Sequence, residues 1–423
     1  MRIALLVQRM PHPAGGGTAL AGWSLLEGMR AVGHEVMPVV LTTPSDPGFD
    51  ASHRHYREAL AAQGVAVTLI PATMPPAPVA PGRLAIVRSA LFPSVDRFYP
   101  SAAYAETLEG ALRRIEPDVV YALGYGAINA LRTVRVAPRM ASLGDPHHEV
   151  LRYRLALMPR RPVRPWLYRA LEYVGARRIL PSFIVEAARD YEDVMWFAAH
   201  HAAWLTARGV PCRYLPVPVA DQIGADWRSR RAALGGRGVT KIVMLGGLSG
   251  TQSRLGLRGL LQLLPHLDRG LGRYEVHIIG HGSPPPEVAR LAAHPAVRLR
   301  GFVDDIRAEL LSSDVFLEPS RYPVGIRSRV VTAMSFGCAV VADPAVGLGI
   351  AELRHGENAL LARGAARLAE AVVEAARDPR LRAALGEGAR RTYEETFAVP
   401  VAGRRIVDAL TRIARPAPTR IQG

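Results

Sequence analysis

Gly325-Ile326-Arg327-Ser328-Arg329-Val330-Val331-Thr332-Ala333-Met334-Ser335-Phe336-Gly337-Cys338-Ala339-Val340-Val341-Ala342 changes character three times in eighteen residues. It opens as a loop. From Ser328 the apolar residues recur at the spacing of a helix with one buried face. Gly337 is placed to stop that helix, and 339–342 is a continuous apolar run, the pattern of a strand buried on both faces of a parallel sheet. Two arginines stand where the helix begins. A helix N-terminus presents unpaired N–H groups and the positive end of the helix dipole, so it suits an anion. Arginines beside it would strengthen a phosphate site through charge-assisted hydrogen bonds.

Working outward, the same loop–helix–strand alternation continues on both sides. Strands are expected at 242–245, 276–279, 297–299 and 315–317, alternating with helices, with a further helix at 366–376. The first forty residues repeat the unit: an apolar strand at 2–7, a loop with Gly15, Gly16 and Gly17, a helix carrying Trp23, Leu26 and Met29, and a strand at 36–41. Further strands are expected at 64–70, 118–123 and 140–143. Residues 71–81 read as a proline-rich loop, and 189–199 reads equally as helix or strand. Pro216 and Pro218 restrict the chain to extended conformations and mark a linker. The organisation is therefore α/β with two Rossmann-like domains, 1–215 and 216–395, followed by a helical tail at 396–423.

The quoted stretch resembles the nucleotide-sugar segment of retaining GT-B glycosyltransferases of the family-4 type (glycosyl transferases group 1). Members there often read Gly-Thr-Arg-x-Lys, two apolar residues, then Glu-Ala-Met-Ala-x-Gly-x-Pro-Val-Val. Val276-His277-Ile278-Ile279-Gly280-His281-Gly282, Gly301-Phe302-Val303-Asp304-Asp305, Ser313-Asp314-Val315-Phe316-Leu317-Glu318-Pro319-Ser320 and His355-Gly356-Glu357-Asn358-Ala359-Leu360-Leu361 match in the same order. The resemblance covers residues 240–400 well and the first half loosely. It implies a GT-B fold, two Rossmann-like domains facing across a cleft, with a nucleotide-sugar as donor substrate and a carbohydrate or lipid-linked acceptor. The chain departs at the family's Glu-x7-Glu pair, whose positions are held by Val324 and Thr332. That departure keeps two alternatives open: a degenerate GT-B protein that only binds a partner, and a nucleotide-sugar epimerase of the same architecture.

The resemblance assigns donor contacts to Arg327 and Arg329, which fall on the family's Arg-x-Lys, and places Thr332 near the ribose. Gly15, Gly16, Gly17, Gly247 and Gly280 lie in loops after strands, where a backbone without side chains can approach a phosphate or sugar. Arg254 is the basic residue for the pyrophosphate, with Arg258 competing for the role. On the acceptor side, Asp145 and His147 follow an expected strand, where open α/β sheets bind ligands; a histidine there can exchange a proton near neutral pH. The alternative is a capping aspartate followed by surface histidines. Asp304 and Asp305 read as helix caps rather than as a catalytic carboxylate pair.

Composition bounds the rest. With 423 residues, 49% apolar and 21% charged, the chain is globular. Its net charge of +16 draws it to polyanions. The two cysteines, Cys212 and Cys338, have no metal-ligand spacing, and the adjacent His147 and His148 lack a third ligand, so no metal is expected. No apolar run reaches the roughly 18 residues of a spanning helix, and the short run at 3–7 is not a signal-peptide core. The expected location is the cytoplasm, either soluble or peripheral on the membrane's inner face. That peripheral reading comes from residues 151–180, where eight arginines, among them Arg160, Arg161 and Arg164, are interleaved with Trp166 and other aromatic and aliphatic residues. Anionic lipid suits such a surface. Single-stranded nucleic acid attracts the same residue types but is the weaker candidate, and an ordinary basic surface with its aromatics facing the core is the remaining reading.

Overall fold

The computed structural model describes residues 1–13, 17–42, 49–72, 83–101, 104–234, 238–282 and 285–414. The chain forms two compact units, Met1–Pro218 with Val399–Gly423, and Val219–Ala398.

Seven parallel strands make the first unit's sheet: β1 (Arg2–Val7), β2 (Glu35–Thr42), β3 (Thr68–Pro71), β4 (Val119–Leu123), β5 (Arg139–Leu143), β6 (Asp193–Trp196) and β7 (Arg213–Tyr214), in the order β3-β2-β1-β4-β5-β6-β7. Its helices are α1 (Thr18–Ala31), α2 (Phe49–Ala62), α3 (Arg83–Leu91), α4 (Val95–Phe98), α5 (Ala105–Ile115), α6 (Tyr125–Leu131), α7 (His147–Leu157), α8 (Val163–Arg189) and α9 (Ala199–Thr206). β4 and β5 are buried along their whole length, as strands covered on both faces must be. The C-terminal helix Val399–Ala414 packs on α1. Two glycines permit the crossing: a Cβ on Gly403 would lie 2.2 Å from the Gly28 carbonyl oxygen.

The second unit has six parallel strands, β8 (Thr240–Leu245), β9 (Tyr274–Ile279), β10 (Val297–Gly301), β11 (Val315–Glu318), β12 (Val340–Ala342) and β13 (Leu360–Leu361), in the order β10-β9-β8-β11-β12-β13. They alternate with α10 (Trp227–Leu234), α11 (Thr251–Gly270), α12 (Pro286–Ala292), α13 (Arg307–Leu311), α14 (Ser328–Ser335), α15 (Ala365–Arg377) and α16 (Pro379–Thr392). In both sheets the order reverses at the first strand of the unit, β1 or β8. Ligands of open α/β sheets bind at such switch points, beyond the carboxyl ends of the strands.

Local differences from the sequence expectations have local causes. The strand expected from Gly64 begins at Thr68, because Gly64 takes a left-handed conformation at the end of α2. The ambiguous stretch after Arg189 is the four-residue strand β6. The expected loop at 71–81 falls almost wholly outside the described residues. Among the described residues no helix is long and apolar enough to cross a membrane.

Candidate active site

At the carboxyl edge of the second sheet, β8 and β9 run out into two glycine loops that touch. A Cβ on Gly280 would sit 1.9 Å from the Gly246 carbonyl oxygen, so only glycine fits there. Gly246 donates its N–H to Ile279 O, and Leu248 to His281 O. Gly247 lies between these two tethers. The loop then enters α11, whose first turn contains no acid and whose cap, Gly250, supplies no side chain. α14 starts in the same way, with no acid in its first turn and no side-chain cap. Two helix N-termini thus meet this edge with no acid in their own first turns.

Arg329, in the first turn of α14, ties these pieces together. Its Nε donates to Glu318 Oε2 at the end of β11, and its Nη1 lies 3.4 Å from Ser253 Oγ in α11. The same Nη1 would be 2.9 Å from a Cβ on Gly246. Glu318 is buried, and its other oxygen, Oε1, accepts the Ser320 N–H. Burial alone would raise its pKa. The Arg329 charge and hydrogen bond, with the Arg327 charge behind them, outweigh that and hold the carboxyl below the usual glutamate range.

Arg327 is engaged within its own loop. It is 3% exposed, and its guanidinium donates to Val324 O, Tyr322 O and Ser320 Oγ, folding the loop before α14 around itself. Gln252 of α11 donates to the same Val324 carbonyl at 3.0 Å. The Thr332 hydroxyl, half-buried one turn into α14, donates to Ser328 O, and Val324 is buried. Arg254 is half-buried in the first turn of α11, where its N–H bonds Gly250 O. Asp343, buried at the end of β12, accepts from Ala345 N and lies 3.9 Å from Arg321.

The first unit's carboxyl edge carries the other candidates. Asp145 is exposed in the turn after β5, and His147 opens α7. The His147 ring packs against Phe98 and Tyr99, with centroids 5.3 and 6.3 Å away. Its pKa is lowered, by burial first and then by Arg154. His148 is pushed down to about 4 by burial, His147 and Arg177, and its Nδ1 is buried without a hydrogen-bond partner among the described residues. The Tyr125 hydroxyl, buried at the start of α6, also lacks one. Gly17 caps α1 at φ 56° without a side-chain bond; Gly15 and Gly16 lie outside the described residues. Among the described residues no group of three or more His, Cys, Asp or Glu is placed to hold a metal ion.

Residues 239–378, which contain the whole Arg329 constellation, match the family described as Glycosyl transferases group 1. The second unit is a glycosyltransferase domain. The full chain is similar to HepE of Anabaena, solved with UDP and glucose, at 16% identity over 96% of this chain and 99% of that one, with a TM-score of 0.62. It is similar to sucrose-phosphate synthase from Thermosynechococcus elongatus at 16% identity, covering 97% and 99%, with a TM-score of 0.65. A variant of TarM from S. aureus, solved with fondaparinux, alpha-GlcNAc-glycerol and UDP, aligns at 11% identity over 98% and 100%, with a TM-score of 0.65. At these identities the likeness establishes the fold, GT-B. No curated protein matches the chain by sequence.

Around that glycosyltransferase domain, several residues of interest escaped the sequence reading. Glu318 carried a signal: a glutamate closing the apolar run Val315-Phe316-Leu317 must find a cation if it is buried. Ser253 and Tyr125 carried none, since their interest comes from burial and from neighbours distant in sequence.

Proposed function

We propose that the chain transfers a sugar from a nucleotide-activated donor to a glycan or lipid-linked acceptor, with retention at the anomeric carbon, as a family-4 type enzyme. The observation that carries this reading is the convergence on Arg329 of two uncapped helix N-termini and the glycine loop after β8, inside the stretch matching Glycosyl transferases group 1. The solved complexes of HepE with UDP and of the TarM variant with UDP and carbohydrate support a uridine diphosphate leaving group and a carbohydrate acceptor.

In this reading Gly17, Gly247 and Gly280 bring backbone to the donor, with Gly15 and Gly16 beside Gly17 in sequence. Arg254, Arg327 and Arg329 address the diphosphate, and Thr332 the ribose. As the bond from the anomeric carbon to the phosphate oxygen breaks, charge builds on the diphosphate, and guanidinium groups and helix amides already in place stabilise it. The acceptor hydroxyl forms the new bond on the face the diphosphate leaves. Its proton passes to the departing phosphate oxygen, while Asp145 and His147 orient the acceptor. The scheme calls on no metal or cofactor. The protein works at the cytoplasmic face of a membrane, in polysaccharide biosynthesis.

One observation favours a second reading, binding without turnover. Val324 and Thr332 replace two carboxylates, and the Thr332 hydroxyl is bonded to its own helix. Calorimetry with UDP and other nucleoside diphosphates, followed by turnover assays with the nucleotide-sugars that bind, separates the two. Binding without sugar release or transfer supports the second reading; no binding by any nucleotide overturns both.

A further inference from the structure

Exposed large apolar side chains are concentrated in one place. Of the eight among the described residues, five belong to α3, the turn after it and α8: Val87, Phe92, Val163, Leu167 and Val174. Phe92 is 68% exposed and Val163 60%. On α8, Val163, Leu167, Val174 and Arg178 follow one another at steps of four, seven and four, which places them on one helix face. Phe92 joins that face because α3 and α8 pack without a gap. A Cβ on Gly175 would lie 2.2 Å from the Ala90 carbonyl oxygen, so glycine alone lets the helices approach this closely. The Arg178 guanidinium then sits 5.9 Å from the Phe92 ring centre. Arg97 pins the arrangement, donating to Ser89 O and Oγ on α3 and to Tyr168 OH on α8.

The charge on this face is one-sided. Its acid, Glu172, is buried and paired with Arg169 and Arg97. Arg160, Arg161 and Arg164 are exposed and, like Arg178, form no ion pair among the described residues. Single-stranded nucleic acid would need aromatic faces for stacking. Trp166 and Tyr168 are half-buried, Tyr168 is held by Arg97, and Phe92 is the one exposed ring of the five apolar residues. Aliphatic side chains between unpaired arginines instead match a lipid headgroup layer, apolar below and anionic above.

We propose that this α3–α8 face docks the protein on an anionic bilayer, with Phe92 and Leu167 entering the acyl boundary and Arg160, Arg161, Arg164 and Arg178 meeting lipid phosphates. The inference names the surface behind the peripheral membrane reading above and rests on it.

Co-sedimentation of the full chain with phosphatidylcholine vesicles, with and without phosphatidylglycerol, tests it. Wild type binds the phosphatidylglycerol vesicles and leaves pure phosphatidylcholine. Each arginine near an anionic surface contributes roughly fivefold in partitioning, so the triple change Arg160→Ser, Arg161→Ser, Arg164→Ser lowers binding on the order of a hundredfold at low salt. The pair Phe92→Ser, Leu167→Ser removes the part of the binding that survives high salt. All five positions are exposed, so UDP affinity measured by calorimetry stays at the wild-type value and reports intact folding. Wild type that ignores phosphatidylglycerol vesicles at low salt overturns the proposal, as does binding that none of these changes reduces. So does a dimer in sedimentation velocity that the Phe92 and Leu167 changes dissociate while vesicle binding persists, or binding to poly(U) with none to vesicles. Absence of binding by any nucleoside diphosphate would instead remove the glycosyl-transfer reading and leave the vesicle result standing.

Discussion

Arg329 and Glu318 meet Nε to Oε2 at the end of β11, with the glutamate 2% exposed and the arginine guanidinium lying over Gly246. Ion pairs out of water cost desolvation that their attraction only partly returns, yet breaking one by removing a single partner leaves an uncompensated buried charge. The pair therefore acts chiefly to fix where the Arg329 guanidinium points. Glu318→Ala is expected to cost about 3 kcal/mol in denaturant unfolding of the second unit. Replacing both residues with Leu and Met should recover most of that. The pH dependence follows from the lowered carboxyl pKa: the contribution is complete above the unfolded glutamate value and fades as pH falls through the folded one. Equal stability of wild type and Glu318→Ala at pH 7 would refute the pairing.

Arg327 and Arg329 separate by what their side chains already hold. Arg329 retains Nη2 beyond its bonds to Glu318 and Ser253, whereas Arg327 donates to three groups of its own loop. Replacing both with Ala should weaken nucleoside diphosphate binding, by on the order of 1.5–3 kcal/mol for each charge-assisted hydrogen bond removed. Arg327→Ala alone should also lower stability, because it releases the loop before α14. Calorimetry and unfolding on the two single variants and the double check this. Unchanged affinity in the double variant would move the diphosphate site elsewhere.

Thr332 occupies the position of a family glutamate but spends its hydroxyl on Ser328 O. The resemblance places the ribose here, and on that alignment a longer carboxylate at this half-buried site would accept from its hydroxyls. Thr332→Glu is expected to tighten UDP binding. A UDP-bound structure with the ribose far from residue 332 would refute the alignment behind this expectation.

The fold was legible because its strands are short apolar runs separated by glycine stops and amphipathic helices, and each of those signals is local. The quoted stretch became α14 and β12, with Gly337 at φ 63° between them. The arrangement of the site was legible only in part. That Arg327 and Arg329 stand at a helix start could be read from their neighbours in sequence, but that one folds its own loop and the other bridges three elements could not. Arg329 meets Ser253 across 76 positions, and no periodicity encodes such a pairing. The α3–α8 face shows the same limit: eight arginines among aromatics were visible, whereas Phe92 joins them only through the packing of Gly175 on Ala90.

The histidines at the first unit's carboxyl edge yield a pH signature. His201 is 3% exposed, stacked on Trp196 and beside His200, and burial followed by the charges of His200 and His148 pushes its pKa down to about 2. His148 is pushed to about 4. The unfolded chain binds protons at these histidines near pH 6.5 while the folded chain does not, so stability is complete above that value and falls with pH below it. Between pH 7 and pH 5 a histidine that stays neutral when folded costs roughly 2 kcal/mol. His201 should approach that figure, and His148, which is partly exposed, should contribute less because solvent screens it. His201→Phe keeps the stack on Trp196 and removes the titration. Denaturant midpoints at pH 7 and pH 5 should therefore differ less in His201→Phe than in wild type. Equal pH losses in the two proteins would mean that His201 takes up its proton in the folded state, and that its burial does not hold it neutral.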